Sequence, residues 1–305
     1  MRQIYKKRSI YVLFSIFVNI YSYAQIDGKN ILPSVEDFND DVIYCESKDY
    51  SVVLSGHYES GVFIEDTVVS PNHFSYTTYK ADKPGQISEI MRYGLIGFMS
   101  SETVLNYHLV AEYDNAGHIL TLTYYMLPDD INEVSLIRTF SYNQEGELLG
   151  SVSKNSTSFN NSTITSTYYW SDGKVDSIIT ESNYGTHPTT SKQYFIATDK
   201  NGSYKVQRGD GTIESVKEFS DNRTLIRSEK IDDGVKCVTL YNAHGLVTYE
   251  EAPEYDINNS VSITKYTGYE YDSHGNWTKR VTIHVINGKD IPAVMTERTI
   301  KYSSM

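Results

Sequence analysis

The sequence predicts an all-β protein in which tandem antiparallel β-hairpins form one long twisted or spiralled sheet. Two observations predict this class: Gly recurs between stretches of alternating apolar and polar residues, and apolar residues at helical spacing are hard to find. The recurring Gly residues stand at positions 85, 117, 146, 173, 202, 245 and 275, and a near-constant period indicates a repeat architecture. With strands of typical length, we expect roughly 16 to 20 strands.

The N-terminal residues have the pattern of a secretory signal. Four basic residues within the first eight positions precede an apolar run at 10–20, and small residues follow at Ser22 and Ala24. The apolar run is shorter than the roughly 20 residues that a transmembrane helix needs. We therefore predict a signal peptide at 1–24 and a protein exported to the periplasm, the outer surface or the extracellular space. We expect no membrane insertion after signal removal; a retained anchor is the alternative.

The repeat unit is a hairpin turn, preceded in the chain by an N-terminal β segment at 25–80 and repeated over 81–305. Asp or Asn three residues before Gly can accept hydrogen bonds from the turn backbone, and Gly supplies the left-handed conformation of a three-residue loop with a bulge. The clear copies are Tyr113-Asp114-x-x-Gly117, Tyr142-Asn143-x-x-Gly146, Tyr241-Asn242-x-x-Gly245 and Tyr271-Asp272-x-x-Gly275; Gly173 and Gly202 mark weaker copies.

In this register the residue four before Gly lies opposite the residue two after it. The partners on the second strand would be Ile119, Leu148, Val175, Val247 and Trp277, with Tyr169 opposite Val175. Each unit would then stack a Tyr against an apolar residue on one face of the sheet. We predict that these turn residues are structural sites of the protein.

The strands between the turns are predicted from the alternation of apolar and polar residues. Val134, Leu136, Arg138, Phe140 and Tyr142 alternate with more polar residues, which indicates a strand with one buried face. The polar run at 155–167 is interpreted as a loop that leads into the strand ending at Trp170. The long interval between Gly202 and Gly245 contains further turn signals at 209–211 and 232–234, which predict an added hairpin.

The turns resemble the YD-repeat or RHS-repeat family, whose unit is Tyr-Asp-x-x-Gly followed by a polar and then an apolar residue. The units at Gly117 and Gly275 match it strictly, and those at Gly146 and Gly245 have Asn for Asp. The resemblance covers about residues 80 to 285 and implies hairpins wound side by side into a spiralled sheet, often a shell around a toxin. The ending at 23–25 resembles Bacteroidetes signal peptides. A freestanding envelope protein built from such hairpins is the implication for this chain.

Composition excludes several classes of function. Lys and Arg total 27 against 39 Asp and Glu, which argues against nucleic-acid binding. No cofactor-binding motif is found, so we expect no cofactor and no metal. The chain has two Cys, and an open hairpin array would keep Cys45 far from Cys237, beyond the roughly 7 Å limit for a disulfide. We therefore predict two reduced, unreactive thiols, with Cys237 facing the Tyr-lined core.

The candidate catalytic groups do not form a recognisable set. Ser151-x-x-Lys154 and Ser220-Asp221-Asn222 match elements of penicillin-binding proteins, but Ser151 is predicted in a strand rather than at a helix start. His118, His244 and His274 lie beside turn glycines, where we expect exposed positions. The acid pairs that could supply a glycosidase are Glu65-Asp66, Asp129-Asp130, Asp232-Asp233 and Glu250-Glu251.

The chain is rich in tyrosine, with 27 Tyr against 10 Phe and 2 Trp. These aromatic residues indicate either a thin core lined by Tyr or a stacking surface that includes Trp170 and Trp277. We expect a non-enzymatic scaffold or binding protein of the bacterial envelope that binds a glycan or an envelope protein through an aromatic sheet face. A polysaccharide-acting enzyme with an unidentified carboxylate pair is the alternative. The oligomeric state is left open.

Overall fold

The computed structural model describes residues 42–303, except 60–61, 84–85, 96–102, 126–133, 156–161, 172–173, 185–186, 199–202, 223, 233 and 254–260. The side chains of residues 53–66, 184, 187 and 232 also lie outside the described part. The predicted signal peptide at 1–24 and the turn residues Gly85, Gly173 and Gly202 are among the residues outside it.

The described residues form 18 β-strands, within the predicted range. The strands are β1 Val42–Glu59, β2 Val62–Lys83, β3 Gln86–Leu95, β4 Thr103–Tyr113, β5 Ile119–Tyr125, β6 Val134–Tyr142, β7 Leu148–Asn155, β8 Ser162–Ser171, β9 Lys174–Tyr184, β10 His187–Ala197, β11 Tyr204–Arg208, β12 Ile213–Phe219, β13 Leu225–Asp232, β14 Val235–Tyr241, β15 Val247–Pro253, β16 Val261–Tyr271, β17 Trp277–Ile286 and β18 Lys289–Tyr302. The all-β prediction is confirmed.

The sheet closes on itself. Each strand pairs antiparallel with the strands before and after it in the chain, and β1 pairs with β18 from Val42↔Tyr302 to Ser51↔Val294. The molecule is therefore a closed 18-stranded barrel, and the predicted spiralled sheet is wrong. Twist and coiling accumulate around successive strands until the two terminal strands meet. Closure gives both edge strands a hydrogen-bonding partner, which an open spiral cannot do.

The connections alternate between two rims of the barrel. Connections that follow even-numbered strands include the four clear repeat turns and lie on one rim, the turn rim; the others lie on the loop rim. β1 begins and β18 ends at the turn rim. At the loop rim the β1–β2 hairpin extends beyond its neighbours, because its pairs from Val52↔Val69 to Glu59↔Val62 have no counterpart in the described pairs of β18 or β3.

The inner face of the barrel holds the core. In β6, Leu136, Arg138 and Phe140 are buried whereas Ile137 is exposed, so the predicted alternation of this strand is confirmed. A closed sheet encloses one of its two faces, and the buried residues therefore face the interior. The apolar cluster on β3–β9 consists of Ile87, Ile90, Leu109, Ala111, Ile119, Leu122, Tyr124, Leu136, Phe140, Leu148, Tyr168, Val175 and Ile178.

The outer face carries charged residues in ion pairs. Lys265 Nζ lies 2.8 Å from Asp290 Oδ1, and Lys236 Nζ lies 2.8 Å from Glu229 Oε2. Lys80 pairs with Glu89 in the same way on β2 and β3. Exposed pairs of this kind stabilise a fold by less than about 1 kcal/mol each. The outer wall also carries exposed apolar side chains, among them Ile137, Ile231 and Leu240.

One predicted register is wrong by a single residue. Trp170, and not Tyr169, pairs with Val175, and Tyr169 pairs with Ser177 on the outer face. Ser171 pairs with Lys174, so this hairpin has a two-residue connection instead of the longer loop of the clear copies. A strand shifted by one residue exchanges its two faces. The shift therefore turns Trp170 inward and leaves Tyr169 on the outside.

The described residues of the predicted polar loop at 155–167 are strand, since Asn155 ends β7 and 162–167 belong to β8, whereas 156–161 lie outside the described part. β8 begins at Ser162, and Ser162 and Ser166 are buried on the inner face. Their small side chains fit beside the large residues of the neighbouring strands, so polarity alone did not identify a loop. The added hairpin predicted before Gly245 is confirmed, since four strands, β11–β14, occupy that interval.

Both cysteines are buried on the inner face and no disulfide joins them. Cys45 lies on β1 and Cys237 on β14, so β15–β18 separate them along the sheet. At the usual strand spacing this separation is about 24 Å, well beyond disulfide reach. This separation agrees with the prediction of two reduced thiols. The prediction assumed an open array of hairpins, whereas the sheet is a closed barrel.

Candidate functional site

The clear repeat turns share one geometry on the turn rim. Gly117, Gly146, Gly245 and Gly275 have φ values of 93°, 84°, 77° and 80°. In each turn the Gly N–H donates to the carbonyl of the Asp or Asn three residues earlier, at 3.0 to 3.2 Å. The Asp114 side chain accepts hydrogen bonds from the N–H groups of Ala116 and His118, each at 2.8 Å. The corresponding acceptors in the other turns are Asn143, Asn242 and Asp272.

The turns also set the predicted cross-strand pairs. The pairs are Tyr113↔Ile119, Tyr142↔Leu148, Tyr241↔Val247 and Tyr271↔Trp277. A β-bulge accompanies each of these pairs, as the three-residue loop with a left-handed Gly requires.

Aromatic side chains join consecutive repeats by hydrogen bonds to the backbone. Tyr142 Oη donates to the carbonyl of Ile119 at 2.8 Å, and Tyr113 Oη donates to the carbonyl of Ile87 at 2.8 Å. Equivalent bonds run from Trp170 Nε1 to Leu148 and from Tyr269 Oη to Val247. Each acceptor stands two residues after a turn Gly. Sequence reasoning missed these bonds, although the separations of 22 to 26 residues between donor and acceptor are visible in the sequence.

The turn histidines stack on a Tyr of the following repeat. Ring centroids are 4.8 Å apart for His118 and Tyr142, and 4.6 Å apart for His244 and Tyr271. His274 stacks on Tyr302 at 3.8 Å, and the Tyr302 hydroxyl donates to the Asp272 carboxylate. The histidines are therefore contacts between repeats. Within the described ranges, no three His, Cys, Asp or Glu side chains come together as a metal site would require.

Several large aromatic residues of the described part face inward. Tyr204 and Trp277 are buried, and burial raises the pKa of Tyr124 to about 12. The inner wall is thus partly lined by Tyr. Trp170 and Trp277, which were candidates for an exposed stacking surface, lie on the inner face. They cannot belong to an outer binding surface.

Two neighbouring groups of contacting rings lie instead on the outer wall of β1–β5, near the loop rim. We call them together the aromatic stripe; it consists of Tyr50, His73, Tyr76, Tyr93, His108 and Tyr125. Tyr76 and Tyr93 stack with ring centroids 4.4 Å apart, and His108 and Tyr125 stack at 4.6 Å. The rings are half-buried, so part of each remains accessible. Sequence reasoning missed this group because its members are distributed over five strands.

A polar group lies at one side of the stripe. Glu89 accepts hydrogen bonds from Lys80 Nζ and contacts His108 Nε2 at 3.1 Å. Burial tends to raise the pKa of Glu89, but the bonds to Lys80 and His108 outweigh it and lower the pKa. The carboxylate therefore stays charged at neutral pH. Rings with adjacent charged donors and acceptors are the combination used to bind sugars, which have apolar C–H faces and hydroxyl groups.

The candidate catalytic residues do not converge in the described part of the chain. Ser151 is buried on the inner face and accepts a hydrogen bond from Arg138, whereas Lys154 is exposed on the outer face. Glu250 and Glu251 are neighbours in β15 and point to opposite faces. The side chains of Glu65-Asp66, Asp129-Asp130 and Asp232-Asp233 lie outside the described residues.

Comparisons with known proteins give distant structural similarities. No family model matches the chain, and no curated protein matches it. The chain is similar to a porin-like protein from Bacteroides uniformis, with 14% identity and a TM-score of 0.42 over 85% of this chain and 98% of that chain. It is also similar to a chain in the crystal structure of TcdB2-TccC3-Cdc42, with 13% identity and a TM-score of 0.36 over 83% of this chain and 14% of that chain.

The chain is also similar to a chain of the Photorhabdus luminescens Tc holotoxin pore, with 14% identity and a TM-score of 0.35. The aligned region covers 83% of this chain and 13% of the toxin chain. The part of this chain that the structure describes contains no helix with the length and hydrophobicity needed to cross a bilayer.

Proposed function

We propose that this protein is an exported, non-enzymatic β-barrel that binds a glycan through the aromatic stripe on its outer wall. The observation that carries the proposal is two groups of contacting rings on the outer wall of neighbouring strands, a chain of four from Tyr50 to Tyr93 and the pair of His108 and Tyr125. Sugar C–H groups would stack on such rings, while sugar hydroxyls donate hydrogen bonds to the Glu89 carboxylate and accept them from the Lys80 ammonium group. The candidate catalytic residues that can be placed point to opposite faces, which favours binding over hydrolysis.

The test is binding of the secreted protein to a glycan array. Tyr76→Ala and Tyr93→Ala should each weaken binding about tenfold, because each removes a ring face worth about 1.4 kcal/mol. Tyr169→Ala is the matched control, since this Tyr is 46% exposed on the outer wall but lies outside the stripe. Equal binding by Tyr76→Ala and wild type would contradict the proposal. So would capture of an envelope protein, dependent on Tyr76, without any glycan binding.

We also propose that the outer wall contacts water and not lipid. Glu229, Lys236, Lys265 and Asp290 lie on this wall, and a charged residue facing lipid costs about 2 to 4 kcal/mol at the bilayer midplane. The proposal includes cleavage of the signal peptide before Gln25. Intact-mass analysis should give a mature chain that begins near Gln25, and carbonate washing should release it from membranes. Retention of Met1 in the exported protein, or of the protein in washed membranes, would contradict it.

We infer that the hairpins are repeats of the YD type. Support comes from the chain itself: the Tyr-Asp/Asn-x-x-Gly turn, the left-handed Gly and the hydrogen bond to the previous repeat recur together. If the units are equivalent, replacing the turn 142–146 by the sequence of 271–275 should preserve folding. If this variant does not fold, the turn sequences are not interchangeable between hairpins, which would contradict the inference.

A further inference from the structure

The inner wall is basic, although the chain as a whole has a net charge of −12. Arg280 and Arg298 face the interior from β17 and β18, in register with Thr296 and Ser47. Arg138 and Lys217 also face the interior, and each is buried. Cationic side chains inside a closed wall are poorly hydrated, so they favour an anionic partner more strongly than surface cations do.

Two of these arginines pack on one tryptophan. The guanidinium carbon of Arg298 lies 3.4 Å from the Trp277 ring centroid, and that of Arg280 lies 4.7 Å from it. Arg280 also lies over Tyr266, at 4.9 Å from that ring centroid. We call Tyr266, Trp277, Arg280 and Arg298 the arginine–tryptophan cluster. Packing on rings fixes the two planar guanidiniums in position before any ligand arrives.

The cluster contains buried donors without an acceptor. Trp277 is 1% exposed, and neither its Nε1 nor the Nε of Arg280 has a hydrogen-bond partner among the described residues. Buried N–H groups in proteins almost always have a partner. Arg280 and Arg298 are half-buried as whole residues, although the Nε of each is buried. The unfilled donors therefore indicate a missing acceptor.

The nearby carboxylates already have other partners. Glu250 accepts a hydrogen bond from Tyr266 Oη at 3.3 Å. Asp49 accepts hydrogen bonds from Ser75 at 2.6 Å and from Thr296 at 2.8 Å. Within the described residues, no ion pair joins Arg280 to either carboxylate. Among the residues that the structure describes, Arg280 therefore has no carboxylate partner.

We propose that the arginine–tryptophan cluster is an anion site inside the barrel that binds the carboxylate or sulfate group of a small ligand. The planar guanidinium forms paired hydrogen bonds with such an oxyanion. The site lies on the inner wall close to the turn rim, because Trp277 is the first residue of β17 after the Gly275 turn. It is separate from the aromatic stripe, so glycan binding and anion binding can fail independently.

The test uses the indole N–H signals of the folded protein in ¹⁵N NMR spectra. The chain has 2 Trp, and Trp170→Phe assigns the signal of Trp277. Sodium sulfate, sodium phosphate and sodium glucuronate are titrated separately at constant ionic strength, with sodium chloride as the reference. We expect sulfate or glucuronate to shift the Trp277 signal saturably and to leave the Trp170 signal unchanged. A saturable shift with phosphate alone, or with none of the three salts, would overturn the proposal.

Two variants separate the site from general charge effects. Arg280→Gln should weaken binding at least tenfold. Lys279→Gln is the matched control, because Lys279 is the next residue on β17, points to the outer wall and pairs with Glu270. It should bind within twofold of wild type. Equal losses in both variants would overturn the proposal. If Arg280→Gln does not fold, Arg280→Lys should weaken binding at least fivefold, and unchanged binding in Arg280→Lys would refute the site.

Discussion

Asp114 shows how one side chain organises a repeat turn. Its Oδ1 accepts two backbone N–H groups of the turn, and its Oδ2 lies 2.9 Å from His118 Nδ1. The bond to the His118 ring, followed by the bonds to the backbone N–H groups of His118 and Ala116, lowers the pKa of Asp114. The same ring then stacks on Tyr142 of the next repeat. The carboxylate thus links the conformation of one turn to the position of the next hairpin.

The lowered pKa predicts a pH-dependent effect of Asp114→Asn. A carboxyl group with a lower pKa in the folded state stabilises the fold above its unfolded pKa of about 3.9, and this contribution is lost as the pH falls through the folded pKa. Wild type should therefore be more stable than Asp114→Asn at pH near 5, and the difference should vanish at pH near 2. Urea unfolding of both proteins across this range measures it. A difference that stays constant with pH would contradict the role of the charge.

Two glycines with similar positive φ values distinguish the energetic cost of backbone strain from the cost of a steric clash with a neighbouring side chain. Gly146 has φ 84° and Gly234 has φ 80°, so an Ala at either position costs about 1 kcal/mol of backbone strain. A Cβ at Gly146 would also lie 2.8 Å from His118 Nε2, whereas a Cβ at Gly234 meets nothing within 4 Å. The clash displaces His118 from its stack on Tyr142, which is worth about 0.5 to 1.5 kcal/mol.

Gly146→Ala should therefore destabilise the protein by about 2 kcal/mol and Gly234→Ala by about 1 kcal/mol. Urea unfolding midpoints of the two variants measure the difference. If both variants lose equal stability, the stacking of His118 contributes nothing.

At the scale of the element, the bond from one hairpin to the backbone of the previous hairpin holds the repeats in register. Tyr142→Phe and Tyr269→Phe each remove one hydroxyl that donates to a backbone carbonyl. Each change should cost about 1 kcal/mol, which is typical of one net hydrogen bond. Tyr169→Phe is the control and should cost close to zero, because this hydroxyl is on the exposed outer face. Thermal unfolding of the three variants measures the effect, and equal losses would show that the bonds contribute nothing.

The hairpins were predictable where the turn chemistry was complete. An Asp or Asn and a Gly three residues later determine loop length, and loop length determines which residues face inward. The hairpin around Gly173 lacks the Asp or Asn, since Trp170 stands at that position. Its shorter connection moved Trp170 inward, which alternation alone could not indicate. Small Ser residues on an inner face, as in β8, also have no signature that separates a strand from a loop.

At the scale of the whole molecule, the closed barrel could not be predicted. The contact that closes it pairs Cys45 with Ile300, and no local pattern connects two residues so far apart in sequence. Each repeat resembles the next. The sequence therefore predicts each hairpin but not the number of hairpins that closes the sheet into a barrel. The aromatic stripe and the arginine–tryptophan cluster were missed for the same reason, because each combines residues from different hairpins.

Closure predicts that a disulfide can be introduced across the seam between β1 and β18. Glu46 and Thr299 are directly paired on the outer wall, and paired residues of antiparallel strands have Cα atoms about 4.5 to 5.5 Å apart, within the range of a disulfide. Glu46→Cys with Thr299→Cys should therefore form a bond on air oxidation. Because the bond closes most of the chain into one loop, it should raise the free energy of unfolding by up to about 5 kcal/mol on the chain-entropy model.

The control variant combines Glu46→Cys with Glu218→Cys, a position on the outer wall of β12. Glu46 and Glu218 share a face but no strand pair, so cysteines at these positions should not form a bond within one molecule. Non-reducing peptide mapping distinguishes the new bonds from the native Cys45 and Cys237, which remain buried. In a spiralled sheet, β1 and β18 would lie at opposite ends and neither pair would form. A disulfide-linked peptide that joins positions 46 and 299, found in the first variant alone, would therefore demonstrate the seam, and its absence under oxidising conditions would show that the sheet is open.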